Sequence, residues 1–159
     1  MAIKNIMLCV TTEGKSLIAA KYAIALAKIF SAKLSAVYVV NERMLRELLK
    51  SRVLVDVEAR SYEKDLEDQG RHFLERIRSM SEKKGVTCDA AILKGIVHEE
   101  IIKQANALNP DMLVMGELKE VLSLRETIYD EGERIFREAP CPVVVVKNTS
   151  LVEKLYNEL

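Results

Sequence analysis

Asp111-Met-Leu-Val-Met-Gly116 and Pro142-Val-Val-Val-Val146 are two short apolar runs that frame the carboxyl-terminal part of the chain. Runs that are apolar at successive positions suit strands buried on both faces, as in a parallel sheet. Parallel neighbours need a crossover, and Arg125–Glu138 supplies a helical one. Residues 109–146 therefore predict a β-loop-α-β unit whose loop lies at the carboxyl end of a strand, where open α/β sheets bind their ligands.

The remainder of the chain repeats this alternation. Gly85 is expected to end the longest helix, and Gly70 lies in the buried stripe of that helix, where it would allow close packing. Residues 41–57 predict only a helical turn or two inside a long crossover. The pattern predicts an open, doubly wound, five-stranded parallel sheet of the Rossmann-like kind, with helices on both faces. The other predicted elements are the strands Ile3–Val10, Leu34–Val40 and Thr87–Leu93 and the helices Ser16–Phe30, Ser61–Lys84 and Val97–Leu108. In the last of these helices Ile101, Ala105 and Leu108 are expected to face inward.

Composition excludes several classes of protein. The 159 residues suit one domain, and 24 basic residues balance 24 acidic ones, so the basic excess of a nucleic-acid binder is absent. No apolar run is long enough for a bilayer, and the amino terminus runs straight into a strand without a secretion signal. The cysteines Cys9, Cys88 and Cys141 fit no metal or redox spacing and are interpreted as apolar fillers in a reducing compartment. We therefore expect a cytoplasmic protein with no nucleic-acid or membrane partner.

Four segments carry a family resemblance. They are Ile6-Met-Leu-Cys-Val10, Gly95-Ile-Val-His-Glu99, Asp111–Gly116, and Glu133-Arg-Ile135 leading to Ala139-Pro-Cys-Pro-Val-Val-Val145. With them the chain resembles the universal stress protein family over residues 1–147, and residues 148–159 would then be a helical extension. The resemblance implies a sheet of order 3-2-1-4-5 and a cytoplasmic, stress-responsive protein that dimerises, often through its last strand. Many members of the family bind ATP and others do not.

The resemblance also implies that the ATP-binding loop is degraded. ATP-binding members carry an acidic residue after the first strand, then G-x-x-G, nine residues and Gly-Ser or Gly-Thr. Here the spacing is kept, but only Gly116 matches a glycine. Lys119 and Tyr129 stand at the other two glycines, Asp130 stands at the hydroxyl, and Thr11 replaces the acidic residue.

These replacements disfavour a triphosphate for physical reasons. Tyr129 adds a ring where backbone should approach phosphate. Asp130 and Glu131 add negative charge, and like charges a few ångströms apart repel by roughly 1–4 kcal/mol. Asp130-Glu-Gly-Glu133 also predicts a helix start capped by Asp130, whose carboxylate would accept the N–H groups that otherwise hold phosphate. We expect no cofactor, and ATP is not favoured.

A second interpretation is that part of the crevice still binds a ligand. Val39 or Val40, Met115 and the backbone near Thr11 could form an adenine slot, or these residues simply line the carboxyl edge of the sheet. A small ligand without phosphates remains an alternative, because this crevice is the usual pocket of the fold. The candidate residues of this vestigial pocket are Thr11, Val39, Val40, Met115, Gly116, Lys119, Tyr129, Asp130, Glu131 and Gly132.

No catalytic or metal-binding residue is predicted. His72 lies on a charged helix face, where a solvated side chain is expected, and His98 lies at the crevice edge. No HExxH, CxxC or Gly-x-Ser-x-Gly motif occurs. The acidic residues of a response-regulator receiver are also missing. The sequence favours a non-enzymatic stress-response module, with a binder of ATP or another small ligand as the alternative.

Association is the remaining expectation. Val143–Val146 would be an exposed edge strand, which invites pairing with a second copy into a two-fold homodimer. Ser150-Leu-Val-Glu153 predicts a capping box that starts a terminal helix with apolar Leu151, Leu155 and Leu159. This helix could pack on its own domain or across a partner, and the partner is favoured. No other protein partner can be named from the sequence.

Overall fold

The computed structural model describes residues 3–10, 15–117 and 125–159, together with their side chains except those of Lys15 and residues 125–130. The five strands form one sheet in the order β3-β2-β1-β4-β5, and every neighbouring pair is parallel. This confirms the predicted architecture. The elements are β1 Asn5–Val10, α1 Lys15–Phe30, β2 Lys33–Asn41, α2 Glu42–Lys50, α3 Asp56–Lys83, β3 Cys88–Gly95, α4 Val97–Leu108, β4 Met112–Gly116, α5 Arg125–Glu138, β5 Val143–Val146 and α6 Thr149–Asn157.

The sheet separates two hydrophobic clusters. Alternate residues of β1 point to opposite faces, so Leu8 packs with α1, α3 and α6, while Cys9 packs with α4 and α5. Ile77 of α3 lies in the first cluster, and Ile101 of α4 and Ile135 of α5 lie in the second. All three residues are fully buried. Burial on both faces explains why the strands read as continuous apolar runs.

The β2–β3 crossover contains two helices, where the sequence predicted one helix and a few turns. Asn41 caps α2 by accepting a hydrogen bond from the N–H of Met44 at 3.2 Å. The next helix, α3, starts earlier than predicted, because the carboxylate of Glu58 accepts the N–H of Val55 at 3.2 Å. Both caps are side-chain contacts between nearby residues, and they fix the positions at which α2 and α3 begin.

Gly70 provides the close packing that its position predicted. A Cβ atom at Gly70 would overlap Cδ1 of Tyr38, so the Tyr38 ring lies directly on the backbone of α3. The Tyr38 hydroxyl donates to the carbonyl of Leu66 at 3.2 Å. Gly85, with a φ of +75°, directly follows Lys84, the C-terminal cap of α3, and confirms the predicted helix end.

The terminal helix differs from its predicted start. Its cap is Asn148, in the left-handed conformation, whose side chain accepts the N–H of Leu151 at 3.2 Å. Ser150 lies inside the helix, and Glu153 pairs with Lys21 of α1 at 2.7 Å, so the predicted capping box is wrong. Asn148 rather than Ser150 caps the helix, because the short side chain of asparagine tolerates a positive φ.

At the end of α4, Leu108 was expected to face inward, but it is 41 % exposed. The helix ends there because Asn109 turns into the left-handed conformation with a φ of 48°. The inward-facing prediction is confirmed for Ile101 and Ala105 and is wrong for Leu108.

Candidate functional site

The sheet order places a crevice between the carboxyl ends of β1 and β4. The chain winds from β1 to β2 and β3 on one side, then returns to β4 and β5 on the other, so the direction reverses between β1 and β4. Such a reversal is the usual ligand position in open α/β sheets. The flanking segments 11–14 and 118–124 lie outside the described residues, and so do the candidates Thr11 and Lys119. For Tyr129 and Asp130 only the helical backbone is described.

The apolar candidates are placed on two faces. Val39 and Met115 pack in the cluster beneath α4 and α5, whereas Val40 packs in the cluster beneath α1 and α3. All three are buried, with exposures of 7 %, 3 % and 0 % respectively. Gly116 is the last residue of β4 and is also buried. The structure therefore brings Val39 and Met115 to one face, separates Val40 from them, and employs all three side chains in core packing.

The backbone of α5 confirms the helix predicted over Arg125–Glu138 and contradicts the predicted start capped by Asp130. The helix begins at Arg125, so Asp130 and Gly132 lie within it and Asp130 is not its cap. Only the first four N–H groups of a helix lack an intrahelical partner. The N–H groups from Tyr129 onward are therefore engaged with carbonyls of the preceding turn and do not need the Asp130 carboxylate.

Glu131 is the candidate whose side chain the structure defines most fully. Its Oε2 accepts the N–H of His98 at 2.6 Å and lies 2.8 Å from Nδ1 of the same histidine. Its Oε1 lies 3.3 Å from Nη1 of Arg43 in α2. Glu131 and His98 are 6 % and 4 % exposed. The negative charge that was expected to repel phosphate is thus turned inward and joins α5 to the start of α4 and to α2.

Two side chains of α5 contact the His98 ring. Nδ1–H donates to Glu131, and Nη1 of Arg134 lies 3.3 Å from Nε2, which accepts. A neutral imidazole satisfies both contacts, because it has one donor and one acceptor nitrogen. Sequence reasoning placed His98 at the crevice edge but missed its partner, since the two residues are 33 positions apart and no local pattern links them.

A cleft of about 530 Å³ opens beside this cluster, between α4 and α5. Its charged residues have both signs, so it does not select an anion or a cation by charge alone. The lining residues are His98, Glu99, Ile102, Lys103, Asn106, Arg134 and Glu138.

The three thiols have no features of a nucleophile. Burial raises the pKa of Cys9 to about 12, and burial also raises the pKa values of Cys88 and Cys141. Thiolates form less readily under these conditions. His72 is exposed on α3, as expected. In the described parts of the chain, no three His, Cys, Asp or Glu residues could hold a metal ion together, and no helix could cross a membrane.

The sheet order and the helices on both faces define a doubly wound parallel α/β protein. The chain belongs to the universal stress protein family, whose family model matches residues 2–147. It is 32 % identical over 152 residues to universal stress protein MJ0531 of Methanocaldococcus jannaschii, a match that covers 87 % of this chain and 79 % of that protein. The predicted family is thereby confirmed.

Solved structures agree on the fold. A universal stress protein family member from Burkholderia pseudomallei superimposes with a TM-score of 0.70 at 20 % identity, covering 92 % of this chain and 97 % of the other. A family member from Arabidopsis thaliana, solved with AMP bound, gives a TM-score of 0.64 at 18 % identity and covers 92 % and 93 %.

Proposed function

We propose that this protein is a non-enzymatic, dimeric universal stress protein that does not bind ATP and acts in the cytoplasm through protein partners in a stress response. The observation that carries the proposal is the start of α5 at Arg125. The family's ATP-binding members place Gly-Ser or Gly-Thr at the positions of Tyr129 and Asp130. Here those positions are inside a helix, where backbone N–H groups are already hydrogen-bonded.

The side chains around α5 also support the proposal that the protein does not bind ATP. The Glu131 carboxylate accepts the N–H of His98 and pairs with Arg43, so it already occupies a donor at the start of α4 and a cation of α2. A triphosphate would have to compete for these donors with the Glu131 carboxylate. Because that carboxylate belongs to the same chain, its contacts carry no entropic cost of association. The buried thiols and the fully engaged His98 ring offer no activated nucleophile or base, which supports a binding role over catalysis.

A second candidate function is binding of a nucleoside monophosphate or another small ligand in the same crevice. This second candidate is supported by the structural neighbour from Arabidopsis thaliana, which was solved with AMP bound. AMP carries less negative charge than ATP, and its adenosine does not depend on the triphosphate loop. The tight packing of Val39, Val40 and Met115 opposes it, since an adenine ring would need space among these side chains.

Titration calorimetry with ATP and magnesium tests the proposal. We expect no heat of binding at millimolar ATP for the natural sequence. The triple change Lys119→Gly, Tyr129→Gly and Asp130→Ser restores the family's loop residues and serves as the matched comparison. Micromolar binding of ATP by the natural protein would contradict the proposal, and binding of AMP without ATP would select the second candidate.

A further inference from the structure

The turn between α2 and α3 carries a cluster of exposed apolar side chains. Val53 and Val55 of the turn and Val57 of α3 are 62 %, 61 % and 76 % exposed, and they are called the valine patch below. The other exposed large apolar side chains that the structure describes occur singly or as one adjacent pair, on α1, α4, α5 and α6. Scattered apolar side chains are ordinary on a protein surface, but a cluster marks an interaction site.

The backbone beneath the valine patch is fixed by hydrogen bonds. The N–H groups of Val53 and Leu54 donate to the carbonyl of Leu48 at 3.0 Å and 3.2 Å. The N–H of Val55 donates to the carboxylate of Glu58 at 3.2 Å. Because the turn is already ordered in the single chain, a partner does not have to order it on binding, and this lowers the cost of association.

The charges that flank the valine patch are divided by sign along the chain. Lys50 and Arg52 precede the patch with positive charge, and Asp56 and Glu58 bring negative charge at its other end. All four residues are exposed, and none of them forms an ion pair within the parts of the chain that the structure describes. The patch therefore has a basic end and an acidic end, and neither is neutralised by its own chain.

A second copy of the chain matches this arrangement. In an interface with two-fold symmetry, each residue pair that joins the two copies occurs twice, once in each direction. With the axis at the valine patch, valines meet valines, and the basic end of each copy faces the acidic end of the other. A partner with a single sign of charge would instead place like charges together at one end of the patch.

We propose that the valine patch is a self-association surface through which two copies of this chain pair about a two-fold axis. Three valines are few for a stable interface, which buries about 1,200–2,000 Å² in total, so the pairing is weak and needs concentrations above micromolar. The proposal goes beyond the proposed function, because the patch belongs to the β2–β3 crossover, whereas β5 lies at the edge of the sheet opposite β3. Pairing through the patch is therefore separate from pairing through β5.

Sedimentation of the full-length protein at rising concentration tests the valine patch. We expect the mean mass of the natural protein to rise above that of its micromolar species as the concentration approaches about 0.5 mM. This rise is expected whether that species is a monomer or a dimer paired through β5, so the two contacts are tested separately. Val57→Gln should weaken the association about tenfold. Ile29→Gln is the matched control, because Ile29 is 57 % exposed but lies on α1.

Charge reversal tests the two-fold arrangement. Arg52→Glu and Asp56→Lys should each weaken the association about tenfold, because like charges then face each other across the axis. An equimolar mixture of the two variants should recover it, since both contacts between the unlike copies again join opposite charges. Circular dichroism checks that each variant keeps the helix content of the natural protein.

Three outcomes would overturn the proposal. A natural protein whose mass stays constant up to about 0.5 mM would leave the valine patch to a different protein. Equal association in Val57→Gln and Ile29→Gln would show that the contact lies elsewhere. A mixture of the two charge variants that associates no better than either variant alone would exclude two-fold pairing through the patch.

Discussion

Tyr38 and Gly70 bring the sheet and α3 into close contact. The ring lies on the α3 backbone at a distance that leaves no room for a methyl group. Burial, with a smaller contribution from Tyr62, raises the pKa of Tyr38 to about 12. Its hydroxyl thus stays protonated and donates to Leu66 throughout the physiological range. A single glycine therefore sets how closely α3 approaches β2.

Gly70→Ala tests this contact. Alanine favours a helix by up to about 1 kcal/mol, while overpacking a core costs about 1–3 kcal/mol. The cost of overpacking should exceed the gain in helix propensity, so we expect the free energy of unfolding in urea to fall by about 1–2 kcal/mol. In a Tyr38→Leu background the same change should be neutral or stabilising, and an equal loss there would refute the steric explanation.

At the scale of elements, α6 is integrated into its own chain. Val152 is 2 % exposed within the cluster that contains α1 and α3. Tyr156 lies between two ammonium groups, with Lys21 at 5.4 Å and Lys84 at 4.7 Å from the ring centre. Leu151, in contrast, is 60 % exposed. The helix therefore covers α1, and its role in a dimer stays a prediction that concerns its outer face.

Two neighbouring substitutions separate these faces of α6. Val152→Ala should lower the free energy of unfolding by about 2 kcal/mol, because it removes buried methyl groups and leaves a cavity. Leu151→Ala should change it by less than about 0.5 kcal/mol. Denaturant unfolding at low protein concentration measures both changes, and equal losses would show that α6 is not packed as described.

At the scale of the whole molecule, β5 is an edge of the sheet. The carbonyl of Pro142 accepts the N–H of Leu113 at 2.9 Å, so the polar groups of residue 142 face β4. Backbone groups alternate in direction along a strand, which turns the N–H and C=O of Val143 and Val145 outward. These outward groups are what a second copy would pair with in the proposed homodimer.

Val145→Pro tests the homodimer directly. Proline removes an outward N–H while leaving the contacts of β5 with β4, since edge strands tolerate proline at such positions. We expect the natural protein to sediment as a dimer at micromolar concentration and the proline variant to shift toward monomer. Val145→Thr keeps the N–H and should remain dimeric. A natural protein that sediments as a monomer would remove dimerisation from the proposed function.

The sequence by itself determined the order of strands and helices, the helix end at Gly85, the packing role of Gly70 and the family. These features follow from signals within a few residues: apolar periodicity, glycine conformation and the proline-flanked valine strand. Segments with weaker local signals were misjudged, as at the start of α3 and at the cap of α6, where Glu58 and Asn148 compete with neighbouring residues for free backbone N–H groups.

Only the tertiary structure decided the partners of Glu131. The sequence presented it as a charge beside the phosphate site, yet folding buries it between His98 and Arg43, which come from different crossovers. A carboxylate excluded from water must find donors wherever the fold brings them, and no spacing along the chain encodes that encounter. Two starts of α5 were predicted, Arg125 and Asp130, and the structure selects Arg125, which places Asp130 inside the helix.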